Sequence, residues 1–90
     1  HANLANFYVR RGLREKAALH FNKAIEAERN PAMKKYRQGN RLLGLYSNNP
    51  AQLRRAVRLY EEALEIQPRL ALAKEGKRRA ELGLARLGAK

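Results

Sequence analysis

Arginine is the residue type with the widest chemical reach in this chain. Arg10, Arg11 and Arg14 cluster around Gly12, with only Glu15 close by. Lys34, Arg37, Gln38 and Arg41 recur at i, i+3, i+4 and i+7, and no Glu falls between residues 29 and 60. A guanidinium makes bidentate hydrogen bonds to carboxylate and phosphate, so such clusters point to recognition of acidic groups. Other cations have acidic neighbours at helical spacing. Glu75 can reach Arg78 and Arg79, Lys77 can reach Glu81, and Arg58 can reach Glu61 and Glu62.

Groups for covalent or acid–base chemistry are scarce. The chain has no Asp, Thr, Trp or Cys, a single Ser (Ser47) and two His (His1 and His20). A Ser-His-Asp arrangement cannot be built from it, and neither can a thiolate metal site or a thiol nucleophile. His20 has no second interior His beside it and reads as a helix-face histidine, not a ligand. Glu61, Glu62 and Glu65, like Glu26 and Glu28, would need a cleft with split pKa values for general acid–base work. With Lys and Arg nearby they read as solvated helix faces. The six glycines are dispersed and form no phosphate loop. The expectation is no enzyme, no metal and no cofactor.

The charge balance agrees with an acidic partner. Twenty Lys+Arg against eight Asp+Glu give +12 on 90 residues. Such a charge attracts nucleic acid as well as acidic protein segments. A chain of this length buries only about 60–65% of its unfolded surface, so a deep closed cavity is not expected. No long uncharged apolar run suits a transmembrane segment. The chain opens on His1, which reads as the start of an excised domain or a tag remnant. The compartment stays open.

The elements that position these side chains are helical. Ala, Leu, Arg, Lys and Glu dominate, and they have the best helix propensities. β-Branched residues number four, Val9, Ile25, Val57 and Ile66. Asn30-Pro31 and Asn49-Pro50 each read as an N-cap followed by proline at the first helical position. Pro68 closes the stretch before it. Five helices are predicted, roughly 2–11, 14–28, 31–47, 50–66 and 69–87. Apolar faces follow from spacing: Ala17, Ala18, Phe21, Ala24 and Ile25 in the second; Ala56, Val57, Tyr60, Ala63 and Leu64 in the fourth. Leu72, Ala73, Gly76, Ala80, Gly83, Leu84 and Leu87 make a narrower stripe in the last. Leu43 marks the packed side of the third, and its basic stripe points away from Leu43.

The second and fourth stretches are copies offset by 39 residues. Ala17 matches Ala56, Phe21 matches Tyr60, Ala24 matches Ala63 and Ile25 matches Leu64. Leu4, Ala5 and Phe7 match Leu43, Gly44 and Tyr46 at the same offset. A two-helix unit that recurs implies units stacked on one another.

This pattern resembles the tetratricopeptide repeat. Leu4-Ala5 and Leu43-Gly44 stand at its Leu-small pair. Ala17-x3-Phe21 with Ala24, and Ala56-x3-Tyr60 with Ala63 and Pro68, stand at its second-helix pattern. The family repeat has about 34 residues, so about five extra residues lie around Ala32–Tyr36. Ser47 stands at the Tyr position, and His1 and Asn40 occupy the Trp position. The resemblance implies an all-α, right-handed superhelical stack of antiparallel hairpins in a single domain, 1–90. Repeat one spans 2–29, an extended linker and helix start 30–36, repeat two 37–68, and a capping helix 69–87. Tyr8, Phe21 and Tyr60 fall on core positions, while Tyr36 lies in the inserted segment.

The resemblance also implies a concave groove lined by the first helix of each unit, which binds extended peptides. Carried over residue by residue, the groove would hold Asn6 and Arg10 from the first copy. Gln38, Arg41 and Leu45 come from the second, and Arg79 from the capping helix. The expected function is a non-catalytic protein–protein interaction module that takes an acidic segment of a protein partner. Nucleic-acid or ribosome binding through the basic surface is the second reading, and a structural segment of a longer repeat protein the third. Two repeats are fewer than the three such arrays usually need, which also suggests self-association through open ends.

Overall fold

The computed structural model describes residues 12–89. Four helices occur among them: α1 (Arg14–Ala27), α2 (Pro31–Leu45), α3 (Pro50–Ile66) and α4 (Ala71–Arg86). No strand occurs among the described residues, and the class is all-α. The predicted helix at 2–11, with Asn6 and Arg10, lies outside the described residues.

Both asparagine caps form. The Asn30 Oδ1 accepts the Met33 N–H at 3.0 Å, and the Asn49 Oδ1 accepts the Gln52 N–H at 3.2 Å. Pro31 and Pro50 follow at the first helical turn, where a missing N–H costs nothing. Two ends differ from expectation by two residues. Helix α2 stops at Leu45 because Tyr46 leaves the helical region (φ −127°, ψ 41°). Helix α4 begins at Ala71, two residues late, because Leu70 adopts extended backbone and is buried in the core. Gly88 ends α4. At φ +71° it lets its own N–H reach the Ala85 carbonyl and the Ala89 N–H reach that of Leu84, which forms a Schellman cap.

Three- and four-residue connections make successive helices antiparallel neighbours. Helix α2 touches the other three, and the molecule is 17 Å thick, about two helix layers. Alanine dominates the main core: Ala32, Ala56, Ala63, Ala73 and Ala80 surround Tyr60, with Leu42 and Leu70. A second cluster joins Ala17 and Phe21 of α1 to Leu45 of α2. Most of the expected apolar faces are buried or half-buried. Leu72 and Leu87 are not: they are 50% and 41% exposed, at the margin and the end of the α4 stripe. Leu53, absent from the expected face of α3, is fully buried.

Tyr60 is the largest fully buried side chain, and two glycines make room for it. A Cβ at Gly39 would stand 2.8 Å from the ring, and one at Gly76 closer still. Phe21 is seated in the same way against Gly44. The two copies therefore share core residue types but not partners. Phe21 rests on the glycine 23 residues further on, whereas the matching Gly83 faces Leu53 and leaves Tyr60 to Gly39 and Gly76.

Gly76→Ala should destabilise the fold by about 1–3 kcal/mol, because the ring has no space to give. Gly83→Ala meets only the Leu53 Cδ1 at 3.2 Å and gains helix propensity, so it should be near neutral or stabilising. Urea titrations of both variants followed by circular dichroism check the contrast; equal losses would show that the Tyr60 seat is not special.

Candidate functional site

Two clefts open on opposite sides of α2. At about 100° per residue, Tyr36, Asn40 and Leu43 share one side, and Gln38, Arg41, Leu42 and Leu45 share the other. Leu42 and Leu45 are buried while Leu43 is half-buried, so the packed side is centred away from Leu43. The basic stripe therefore does not face away from the packing. Arg37, Gln38 and Arg41 are half-buried; Arg37 and Arg41 bond to α1 and the α1–α2 turn, while Lys34 is exposed. The Arg37 Nε donates to the Glu28 Oε1 at 2.7 Å, and the Arg41 Nη1 donates to the Asn22 Oδ1 at 3.2 Å. The Arg37 hydrogen bond, helped by the Asn30 N–H, holds the Glu28 carboxyl below the usual range. Arg14 donates to the Leu45 carbonyl and lies over the Tyr46 ring, 5.5 Å from its centre.

The expected groove residues accordingly separate. Gln38 and Arg41 line a cavity of ≈ 400 Å³ with Asn22, Glu26 and Arg55. Leu45 packs on Ala17 and Phe21. Arg79 lines a larger cavity of ≈ 570 Å³ between α2 and α4, with Tyr36, Asn40, Leu43, Leu82 and Arg86. The reason is helical phase: Gln38 and Arg41 lie about half a turn from the residues of α2 that face α4.

The α2–α4 cleft has a consistent chemistry. Leu43 and Leu82 supply apolar surface, and its polar side chains are Tyr36, Asn40, Arg79 and Arg86. No carboxylate lines it among the described residues. The Tyr60 hydroxyl donates to the Asn40 Oδ1 at 2.6 Å, which commits that oxygen. Burial pushes the Tyr60 phenol well above its ordinary pKa, so it stays a donor. Arg79 gives its Nε to the Glu75 Oε1 at 3.2 Å. Arg86 makes no ion pair or hydrogen bond among the described residues. Sequence reasoning named Arg79 alone of this set. The signal that could have found the rest is the i, i+4, i+7 spacing of Tyr36, Asn40 and Leu43, paralleled by Arg79, Leu82 and Arg86 at i, i+3, i+7.

The acidic pairs are occupied structurally. Glu61 pairs with Lys77 at 3.1 Å and Glu62 with Lys35 at 2.8 Å, each across a helix interface. Lys77 therefore pairs with Glu61 and not, as expected, with Glu81. Glu75 takes two hydrogen bonds from Arg78, at 2.6 and 3.0 Å. No group of three or more His, Cys, Asp or Glu that could hold a metal occurs among the described residues. None of their helices is long and apolar enough to cross a membrane. The chain matches no protein-family model, no curated protein and no solved structure.

The bidentate bond from Arg78, then that from Arg79, holds the Glu75 carboxyl down to about 2. An unfolded glutamate titrates at about 4.3, so the folded state binds fewer protons between these values. This contribution is present above pH ~4.3 and is lost as pH falls toward ~2. The urea midpoint should drop across that window, and Glu75→Gln should flatten the drop. An unchanged acid limb in the variant would remove Glu75 from the account.

Proposed function

We propose that this chain is a non-catalytic protein–protein interaction module that takes an acidic segment of a partner in the cleft between α2 and α4. The observation that carries the proposal is the lining of that cleft: two arginines and an asparagine amide beside leucine, with no carboxylate among the described residues. Both arginines are exposed, so an ion pair at each contributes about 0.2–1 kcal/mol. The net charge of +12 adds long-range attraction for an acidic chain. Of the groove expected from Asn6, Arg10, Gln38, Arg41, Leu45 and Arg79, this reading keeps Arg79 and adds its neighbours across the cleft. The tetratricopeptide-like, right-handed stack is part of the same reading. It is supported by the Leu-small and Ala-x3-aromatic pattern, by paired antiparallel helices, and by the contact of α2 with α4.

A second reading is nucleic-acid or ribosome binding. Arg54, Arg55 and Arg58, exposed within about one turn on the outer face of α3, favour it. Phosphate binding of this kind falls steeply with salt.

The test uses a blocked peptide of alternating Leu and Glu, Ac-Leu-Glu-Leu-Glu-NH2, titrated by calorimetry. Arg79→Glu with Arg86→Glu should weaken binding at least tenfold with helicity unchanged. Arg54→Glu with Arg58→Glu should change it little. The reverse ranking, together with tight, salt-sensitive binding of duplex DNA or RNA, would reject the peptide cleft in favour of the second reading.

A further inference from the structure

We infer that Asn40 is the specificity-determining residue of the α2–α4 cleft, and that Tyr60 sets which face of its amide a ligand meets, so that the cleft selects a carboxylate over the isosteric amide. This deepens the reading above and rests on it.

An asparagine amide has an acceptor end and a donor end of nearly equal shape. Free to turn, Asn40 would serve an anion and a neutral amide about equally. Tyr60 prevents that. Its ring is fully buried among alanines and held between Gly39 and Gly76, so the hydroxyl has one place to point. At that place stands the Asn40 Oδ1, 2.6 Å away. A buried hydroxyl proton needs an acceptor, and this oxygen is the one it is bonded to. The oxygen end is thereby engaged, and the Nδ2 amino group is the end left for the cleft.

The cleft then offers the Asn40 amino group and the guanidiniums of Arg79 and Arg86 on one lining. All are donors. A glutamate side chain can satisfy them with its two oxygens. A glutamine side chain supplies one oxygen and an amino group that faces like donors. Asn40 touches the ligand; Tyr60 acts through it as a positioning residue. Tyr36, whose ring lies 6.0 Å from that of Tyr60, borders the same cleft and contributes a phenol edge.

The experiment compares Ac-Leu-Glu-Leu-Glu-NH2 with Ac-Leu-Gln-Leu-Gln-NH2 by calorimetry on the full chain. The unaltered protein should prefer the glutamate peptide at least tenfold. Tyr60→Phe releases the amide and should reduce the preference to about threefold or less. A merely structural defect would weaken both peptides alike and leave the ratio in place. Asn40→Asp keeps an acceptor for Tyr60 and puts a carboxylate in the cleft. It should lose the glutamate peptide at least tenfold while holding the glutamine peptide within about threefold. Thermal unfolding by circular dichroism confirms that each variant is folded at the binding temperature. If Arg79→Glu with Arg86→Glu abolishes binding but the ratio is unchanged in both Tyr60→Phe and Asn40→Asp, the amide-orientation inference is wrong and the peptide cleft stands. If the unaltered protein binds neither peptide, both fall together.

Discussion

The seat of Tyr60 sets the spacing of three helices. Its ring lies where α2, α3 and α4 meet, and the two walls it touches are backbone, at Gly39 and Gly76. Alanines at 32, 56, 63, 73 and 80 fill the rest of that junction. Small residues bring the axes close, and a single large ring then fills the remaining space. Such a core resists change in either direction: a smaller ring leaves a cavity, and a larger wall meets the ring. The distance across which residues of α2 and α4 face each other is a consequence of this packing. The backbone walls of the α2–α4 cleft rest on this packing, with Asn40 half-buried and Arg79 and Arg86 exposed along them.

The charges follow a different logic. Ion pairs among the described residues use a Glu at a helix interface or one turn away: Glu28 with Arg37, Glu61 with Lys77, Glu62 with Lys35, and Glu75 with Arg78 and Arg79. These partly exposed pairs contribute little individually. Helix α3 even runs against its macrodipole. Arg54, Arg55 and Arg58 occupy its N-terminal half, and Glu61, Glu62 and Glu65 its C-terminal half. Of these charges only Glu65 lies in a terminal turn, where the macrodipole acts, so the unfavourable order costs a few tenths of a kcal/mol at about one position. Lys35 and Lys77 neutralise Glu62 and Glu61 from the flanking helices. Of the eight Glu, Glu28, Glu61 and Glu62 tie one helix to the next, and with twenty cations in the chain much positive charge is left on outer faces and in the clefts.

The helices were largely legible in the sequence because their signals are local. Asn30-Pro31 and Asn49-Pro50 are complete caps within a few residues, and the Ala-x3-aromatic spacing marks the buried faces of α1 and α3. What escaped were features that depend on a second helix. Leu43 resembles Leu42 and Leu45 in sequence, and the neighbouring helices decide which is covered: Leu42 joins the core around Tyr60 and Leu45 packs on α1. Arg37 lacks a Glu on its own helix, yet Glu28 reaches it across the turn. Leu53 lies outside the repeated pattern and is buried because α4 covers it through Gly83. The candidate site shares this dependence. Arg79 entered the expected groove only by its place on the last helix, with Glu75 already within its reach, whereas Tyr36, Asn40 and Arg86 acquire meaning only when α4 lies against α2.

The departure from an exact repeat explains why a cleft exists on that side. In the first copy the aromatic ring rests on Gly44 of the next helix. Had the second copy followed suit, Tyr60 would rest on Gly83, seven residues or about two turns further along α4. Instead Leu53 takes the place at Gly83, and Tyr60 settles against Gly76 and Gly39. Its hydroxyl then meets the Asn40 Oδ1. Asparagine supplies the acceptor that a buried hydroxyl needs, and it is short enough to line the α2–α4 cleft without filling it. The shifted seat of Tyr60 is the reason both happen at the same place.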